Sequence, residues 1–291
     1  MISVITPTYN RAYLLPRMIE SVLDQSYKDW ELIIMDDGST DNSKEVVENY
    51  RDSRIKYYNT NNSGAADKRN QGVSKAKYEN IIFLDSDDTP KNNWLEIFVD
   101  KISVNKNAII SCGWEKVDNN NQTIQINLPR KLGSFFDNIT LNFLAGSLLL
   151  KRSLFLQIGG FDIDLQSGHH TDLLLRLLPV LKRNKIDIIN IPMSLLVIYC
   201  HSGMKIRTNS YSVYKGTLSL LEKHHLHFKK NKRENINYLA VAGYNALKIH
   251  KIKEAKSLLR KAFLIRPWNI KSFLRIIIIE VPLLRKYVWK Y

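Results

Sequence analysis

The stretch Ile81 to Pro90, IIFLDSDDTP, places three carboxylates, Asp85, Asp87 and Asp88, directly behind four apolar residues. Like charges this close repel one another unless a cation or a cationic ligand shares the space. In an extended turn, residues two apart point the same way, so Asp85 and Asp87 can address one ligand together. Hard oxygen donors suit Mn2+ or Mg2+, which take one or two carboxylates plus phosphate oxygens rather than a full protein cage. A second acidic group, DDGSTD from Asp36 to Asp41, precedes it. Other chemistries are disfavoured. No GxGxxG follows the first apolar run, no GxxxxGK[ST] occurs, and no GxSxG elbow is present. The two cysteines, Cys112 and Cys200, stand in no CxxC or Cys/His spacing, so a reducing compartment is expected rather than disulfides or structural zinc.

The acidic groups need elements to hold them. ISVITP and ELIIMDDG read as strands, as do IKYYN and ENIIFLDSDD. Between them lie helical patterns: RAYLLPRMIESVLDQS, with Leu14, Leu15, Met18, Ile19, Val22 and Leu23 on one side, then TDNSKEVVENY and ADKRNQGVSKAK. Apolar strands alternating with helices predict a mostly parallel sheet covered on both faces. Ligands in such sheets bind outside the carboxyl ends of the strands, where both acidic clusters fall. Residues 108–150 read as further strands and a loop. DLLLRLLPVLKRN after Thr171 reads as a helix, and IDIINIP and LLVIYCHSG as extended segments. Beyond about residue 210 only helices are expected. There Ala255, Leu258, Leu259, Ala262 and Phe263 form one apolar face. Ala255, Leu259, Ala262, Pro267 and Gly243 match one tetratricopeptide-like hairpin in spacing. A single such unit cannot bury its own face, so it is expected to dock on the preceding domain.

The chain has 291 residues, 44% hydrophobic and 24% charged, enough to bury one large or two smaller cores. MISVITPTYN has no basic lead or apolar core of a secretory signal, and no run of about 18 apolar residues could span a membrane. The net charge of +15 is uneven: residues 205–291 hold 20 Lys or Arg against 4 Asp or Glu, while residues 1–204 hold 23 against 24. A neutral working domain with a basic tail implies an anionic partner. No nucleic-acid-reading module is recognisable, so nucleic acid is not expected. The ending FLRIIIIEVPLLRKYVWKY mixes aliphatics and aromatics with cations, as segments at an anionic membrane surface do. A solvated helical face is the alternative.

ISVITPTYNR, DDGSTD, NSGAADKRNQG, DSDD, and GGFD with the later DLLLRL follow one another in order. Together they resemble the family 2 glycosyltransferases of bacterial surface-polysaccharide synthesis, over residues 1 to about 205. The resemblance implies a GT-A fold, Rossmann-like, with a mostly parallel sheet flanked by helices. It also implies an inverting, metal-dependent transfer of one sugar from a nucleotide-diphosphate donor, a UDP-sugar by default. The acceptor would be a glycan or lipid-linked oligosaccharide for capsule, O-antigen or exopolysaccharide. The expected domains are a catalytic domain over 1–208 and a basic all-α extension over 209–291. A cytoplasmic location, peripheral on the inner face of the membrane, follows, and a homo-oligomer is left open. QxxRW and membrane-spanning helices, found in processive synthases, are missing from the sequence, which favours single transfer.

By the same resemblance, Pro7, Thr8 and Tyr9 hold the nucleotide base, with Tyr9 stacking on it, and Asp37 accepts a hydrogen bond from the base. Arg69 lies near base or phosphate, Asp85 addresses the ribose, and Asp87 is the metal ligand. His201 is assigned to the metal side, on a loop closing over the diphosphate. Asp172 is the catalytic base. The family has Glu-Asp there and this chain has Thr171-Asp172, which leaves His169 and His170 as alternatives. Simpler readings stand beside these. Asp172 can cap its helix, Asp36, Thr40 and Asp41 are turn chemistry, Asp88 can be a solvated turn residue, and His224, His225 and His227 a solvated face. Rival functions are a sugar nucleotidyltransferase and a non-catalytic nucleotide-sugar-binding protein.

Overall fold

Strands buried at every position must be covered on both faces, and β1 (Ile2–Thr8) and β2 (Trp30–Asp36) are such strands, with the buried Ser3 hydroxyl donating to Glu31. In this computed structural model, which describes residues 1–199 and 209–289, they are neighbours in a nine-stranded sheet, with β2 one strand in from its edge. The chain alternates as the pattern requires: α1 (Leu15–Leu23), α2 (Ser43–Glu48), β3 (Ile55–Asn59), α3 (Ala65–Lys75) and β4 (Asn80–Phe83). β1 pairs in parallel with β2 and β4, and β2 with β3. After β4 come β5 (Asp88–Pro90), α4 (Trp94–Val104), β6 (Ile109–Val117), β7 (Thr123–Asn127), β8 (Arg130–Lys131), β9 (Thr140–Leu141), β10 (Leu148–Lys151) and α5 (Arg152–Gln157). α6 (His169–Asn184) leads into β11 (Ile188–Tyr199). The sheet order is β3-β2-β1-β4-β10-β6-β11-β5, with β7 beside β6. β10 runs antiparallel to both β4 and β6, so the sheet is mixed, with a parallel half that carries the acidic strand ends.

Some boundaries differ from the sequence pattern for local reasons. α1 begins at Leu15, not Arg11, because Pro16 belongs in the first turn, where a missing N–H costs nothing. IDIINIP and LLVIY form one strand, β11, whose register shifts against β6 between Asn190 and Leu196. Asp88 is buried in β5, paired with Ile198 of β11, and is not a solvated turn residue.

The chain divides into two compact units, Met1–Ile163 with Leu173–Ser202, and Asp164–Asp172 with Gly203–Tyr291. The second holds α7 (Ser210–Lys223), α8 (His225–Lys230), α9 (Lys232–Lys248), α10 (Ile252–Ile265), α11 (Ile270–Glu280) and α12 (Pro282–Trp289). It has its own core, with Tyr214 from α7, Leu239 and Ala246 from α9, Leu259 from α10 and Ile279 from α11. The expected hairpin is therefore α9–α10, but its apolar faces are covered by flanking helices of the same unit. Docking is not needed to bury them.

Close approach of α3 to the sheet sets the height of the site. A Cβ on Gly72 would collide with Ile5 Cγ2 and lie 3.2 Å from Met35 Cγ. Gly72→Val should therefore lower stability by about 1–3 kcal/mol, read as a lower urea midpoint at unchanged slope.

Candidate active site

Three of the parallel strand ends carry the chemistry. At the end of β1, Pro7 and Thr8 are buried while Tyr9 is 47% exposed. Asn10 then takes φ 51, which bends the chain toward the turn after β2. Its N–H donates to Ser39 Oγ at 2.8 Å, and its Oδ1 accepts from the Thr40 N–H at 2.8 Å. Asp41 binds the same two segments together, accepting from Ala12 N–H and from Ser43. Burial raises the Asp41 carboxyl, but the Ser43 and Ala12 bonds outweigh it and hold the group below the ordinary carboxylate value. Asp36 is fully buried and accepts from Ser39 N–H at 2.7 Å and from the Tyr57 hydroxyl. Burial, then that bond to Asp36, raises the Tyr57 phenol far above its usual value. Asp36 and Asp41 thus hold turns, as their sequence context indicated.

Asp37 organises the neighbouring loop. Its Oδ1 accepts from the Ser63 N–H at 2.7 Å and its Oδ2 from the Gly64 N–H at 3.0 Å, where α3 begins. Lys68 sits beneath it with its side chain only 1% exposed. Its Nζ lies 3.4 Å from Asp37 Oδ1 and donates to Asn61 O at 2.8 Å and Ser63 Oγ at 2.7 Å. Sequence reading passed over Lys68, because a lysine in a polar helix ordinarily faces water.

At the end of β4, the carboxylates of Asp85, Asp87 and Asp88 each offer an oxygen within 4.8 Å of the others. Arg69 Nη2 pairs with Asp85 Oδ1 at 2.5 Å, so two residues expected to serve different parts of the nucleotide meet each other. Arg17 donates to the Asp87 carbonyl at 3.1 Å, and its guanidinium lies 3.5 Å from the centroid of the Tyr199 ring. Three buried polar atoms here have no hydrogen-bond partner among the described residues: Thr8 Oγ1, Arg17 Nε and Arg69 Nε. Such orphans are costly in a finished core and are what a polar ligand would satisfy. The three oxygens are hard donors of the kind Mn2+ or Mg2+ takes, so the residues fit a divalent ion.

Parts of the later motifs support α3. Asn70 Nδ2 donates to Phe161 O, and Phe161 N–H donates back to Asn70 Oδ1, both at 2.8 Å. Gly160 has φ 64, and a Cβ there would lie 2.6 Å from Asn70 Oδ1. Arg176 closes the group through the carbonyls of Ile158 and Gly160. Gly160 and Phe161 of GGFD and Arg176 of DLLLRL therefore hold α3, which presents Arg69. Cys112 is buried, and burial pushes its thiol up to about 12, which removes it as a nucleophile.

Asp172 belongs to the helical unit. It lies in the first turn of α6, fully buried, with Lys223 Nζ and His224 Nε2 each 2.8 Å from Oδ1. His224 is thus no part of a solvated face. Thr171 Oγ1 lies 3.3 Å from the Tyr238 hydroxyl. His201 falls outside the described residues. The pairing of Lys223 and His224 with Asp172 carried no signal in the sequence, since a basic helix end reads the same whether solvated or paired.

Lys68→Met would leave the Asp37 carboxylate buried with only its backbone donors. A loss near the lower end of roughly 3–5 kcal/mol is expected in urea unfolding, with Lys68→Arg retaining part of it.

Comparison with known proteins bears on the family and the fold. Residues 3–159 match the model of Glycosyl transferase family 2. The chain is 36% identical over 133 residues to the E. coli UDP-Glc:alpha-D-GlcNAc-diphosphoundecaprenol beta-1,3-glucosyltransferase WfgD, covering 45% of this chain and 53% of that one. It is 44% identical over 91 residues to the Campylobacter jejuni GalNAc(5)-diNAcBac-PP-undecaprenol beta-1,3-glucosyltransferase, 30% of this chain and 29% of that one. The matched stretch thus spans about half or less of these relatives. The crystal structure of S. aureus TarS 1–349 with UDP-GlcNAc superposes with a TM-score of 0.64 at 17% identity, covering 99% of this chain and 91% of that one, and shows a shared fold. With just over half of its residues in the matching domain, the chain belongs to glycosyl transferase family 2.

Proposed function

We propose that the chain moves one sugar, with inversion, from a UDP-sugar to a hydroxyl of a lipid-linked glycan acceptor in bacterial polysaccharide synthesis. The observation that carries this reading is the convergence of Asp85, Asp87, Asp88 and Arg69 at the end of β4, next to the β1 turn that exposes Tyr9. Relatives named for diphosphoundecaprenol acceptors and a structural neighbour that binds UDP-GlcNAc support it.

Tyr9, directly after Pro7 and Thr8 at the end of β1, offers an aromatic face for the uracil. Asp37 Oδ2, which takes one backbone N–H, keeps acceptor capacity for the base. Arg69 Nε and Thr8 Oγ1 supply polar atoms for the nucleotide, and Asp85 meets the ribose once Arg69 yields to the phosphates. Asp87, with its acidic neighbours, would hold Mn2+ or Mg2+, and His201 assists there. When bound, that ion neutralises charge on the departing diphosphate. Asp172 takes the proton from the acceptor hydroxyl as it attacks the anomeric carbon. Buried and ion-paired, it acts only when the hydroxyl takes the place of Lys223 or His224. No described helix is long and apolar enough to cross a membrane, and we place the protein on the cytoplasmic face, at the membrane surface.

The test is incubation with Mn2+ and a panel of UDP-, GDP- and TDP-sugars, scoring released diphosphate and acceptor modification. Turnover with a UDP-sugar, abolished by chelation, is expected. Asp172→Asn should lower kcat about 10²–10⁴-fold while donor affinity stays within about twofold. Near-normal turnover in that variant moves the base to His169 or His170. Donor binding with no release under any condition leaves a nucleotide-sugar-binding protein instead.

A further inference from the structure

α11 is apolar on two opposite faces. Ser272, Ile276 and Ile279 turn toward the core of the helical unit. On the other side Ile270, Phe273, Leu274 and Ile277 recur at i, i+3, i+4 and i+7, with Val281 four residues further, and all are between 36% and 74% exposed. Trp268, just before the helix, is 94% exposed, and α12 adds the outward Leu283 and Tyr287. Singly exposed apolar residues need no explanation, but a contiguous stripe with an outward tryptophan marks a contact surface.

Charge decides what covers it. Residues 264–291 hold Arg266, Lys271, Arg275, Arg285, Lys286 and Lys290 against one acid, Glu280. Glu280 is already engaged by Lys256 Nζ and Arg260 Nη2, each at 2.6 Å. Lys271 and Arg275 lie along one flank of the stripe. A second copy of this face would bring cations against cations. An anionic bilayer surface accepts both features, since apolar side chains enter the acyl boundary and cations remain among the phosphates. At eleven residues α11 is too short to span and suited to lying in the plane.

We propose that α11, with Trp268 and the start of α12, lies in the interface of an anionic lipid bilayer and holds the protein there. The proposal gives the membrane-surface placement of the preceding reading its contact residues. Its test reads vesicle binding and not sugar transfer, so either can fail alone.

The full chain is floated with vesicles of phosphatidylcholine alone and of phosphatidylcholine with phosphatidylglycerol, at low and high salt. Binding to the anionic vesicles should exceed that to neutral ones at least tenfold and weaken with salt. Phe273→Asp with Ile277→Asp, at exposed positions, should remove binding while leaving the unfolding temperature and soluble-acceptor turnover unchanged. Lys271→Glu with Arg275→Glu should lower anionic-vesicle affinity by roughly fivefold or more per charge. Equal binding to neutral vesicles overturns the electrostatic part, and binding that survives the aspartate variant overturns the surface itself. Absent vesicle binding, with a solution dimer that the aspartate variant makes monomeric, assigns the face to a second copy.

Discussion

A carboxylate withdrawn from water must be met by a donor or a cation, and this chain gathers six aspartates at or just after the ends of β2 and β4, the two strands that flank β1. The arrangement holds because their partners differ in kind. Asp36 and Asp41 are met by backbone N–H groups and hydroxyls, which lock the turns after β1 and β2 together. Asp37 is met by two N–H groups at the start of α3 and by the buried Lys68. Asp85 is met by Arg69. Where neutral donors serve, the acid is structural. Where an arginine serves, at Asp85, its buried Nε keeps a donor with no partner among the described residues.

That division explains why α3 matters more than its modest burial suggests. Gly72 lets it lie close on β1 and β2, and the Asn70–Phe161 and Arg176 bonds fix its far side. Lys68 and Arg69, adjacent in sequence, then serve different acids: one beneath the loop at Asp37, the other toward Asp85. A helix free to shift by an ångström would break both pairings.

The helical unit obeys other rules. Its core is aliphatic and small-residue-rich, with Gly243 bringing α9 within contact of Leu259 on α10. The unit also contains the start of α6, where Lys223 and His224 hold Asp172. The residue expected to take a proton is thus set by side chains of the basic helices, and α11 turns a spare apolar face outward from the same unit.

Much was legible without coordinates. Apolar runs ending in acids specified parallel strands and the end of the sheet that carries the site, because side-chain period and strand burial are local properties. The motif order specified the family. Whether Asp88 is solvated was left open by the sequence, because its burial comes with pairing to β11, more than a hundred residues later. Lys68 and Lys223 were overlooked, and His224 was read as part of a solvated face, for the same reason, since nothing in a basic helical pattern says which cation is folded under a carboxylate. What the sequence determines alone is the set of charges and the elements that carry them. Which charges meet is decided only when distant segments pack and water is excluded between them.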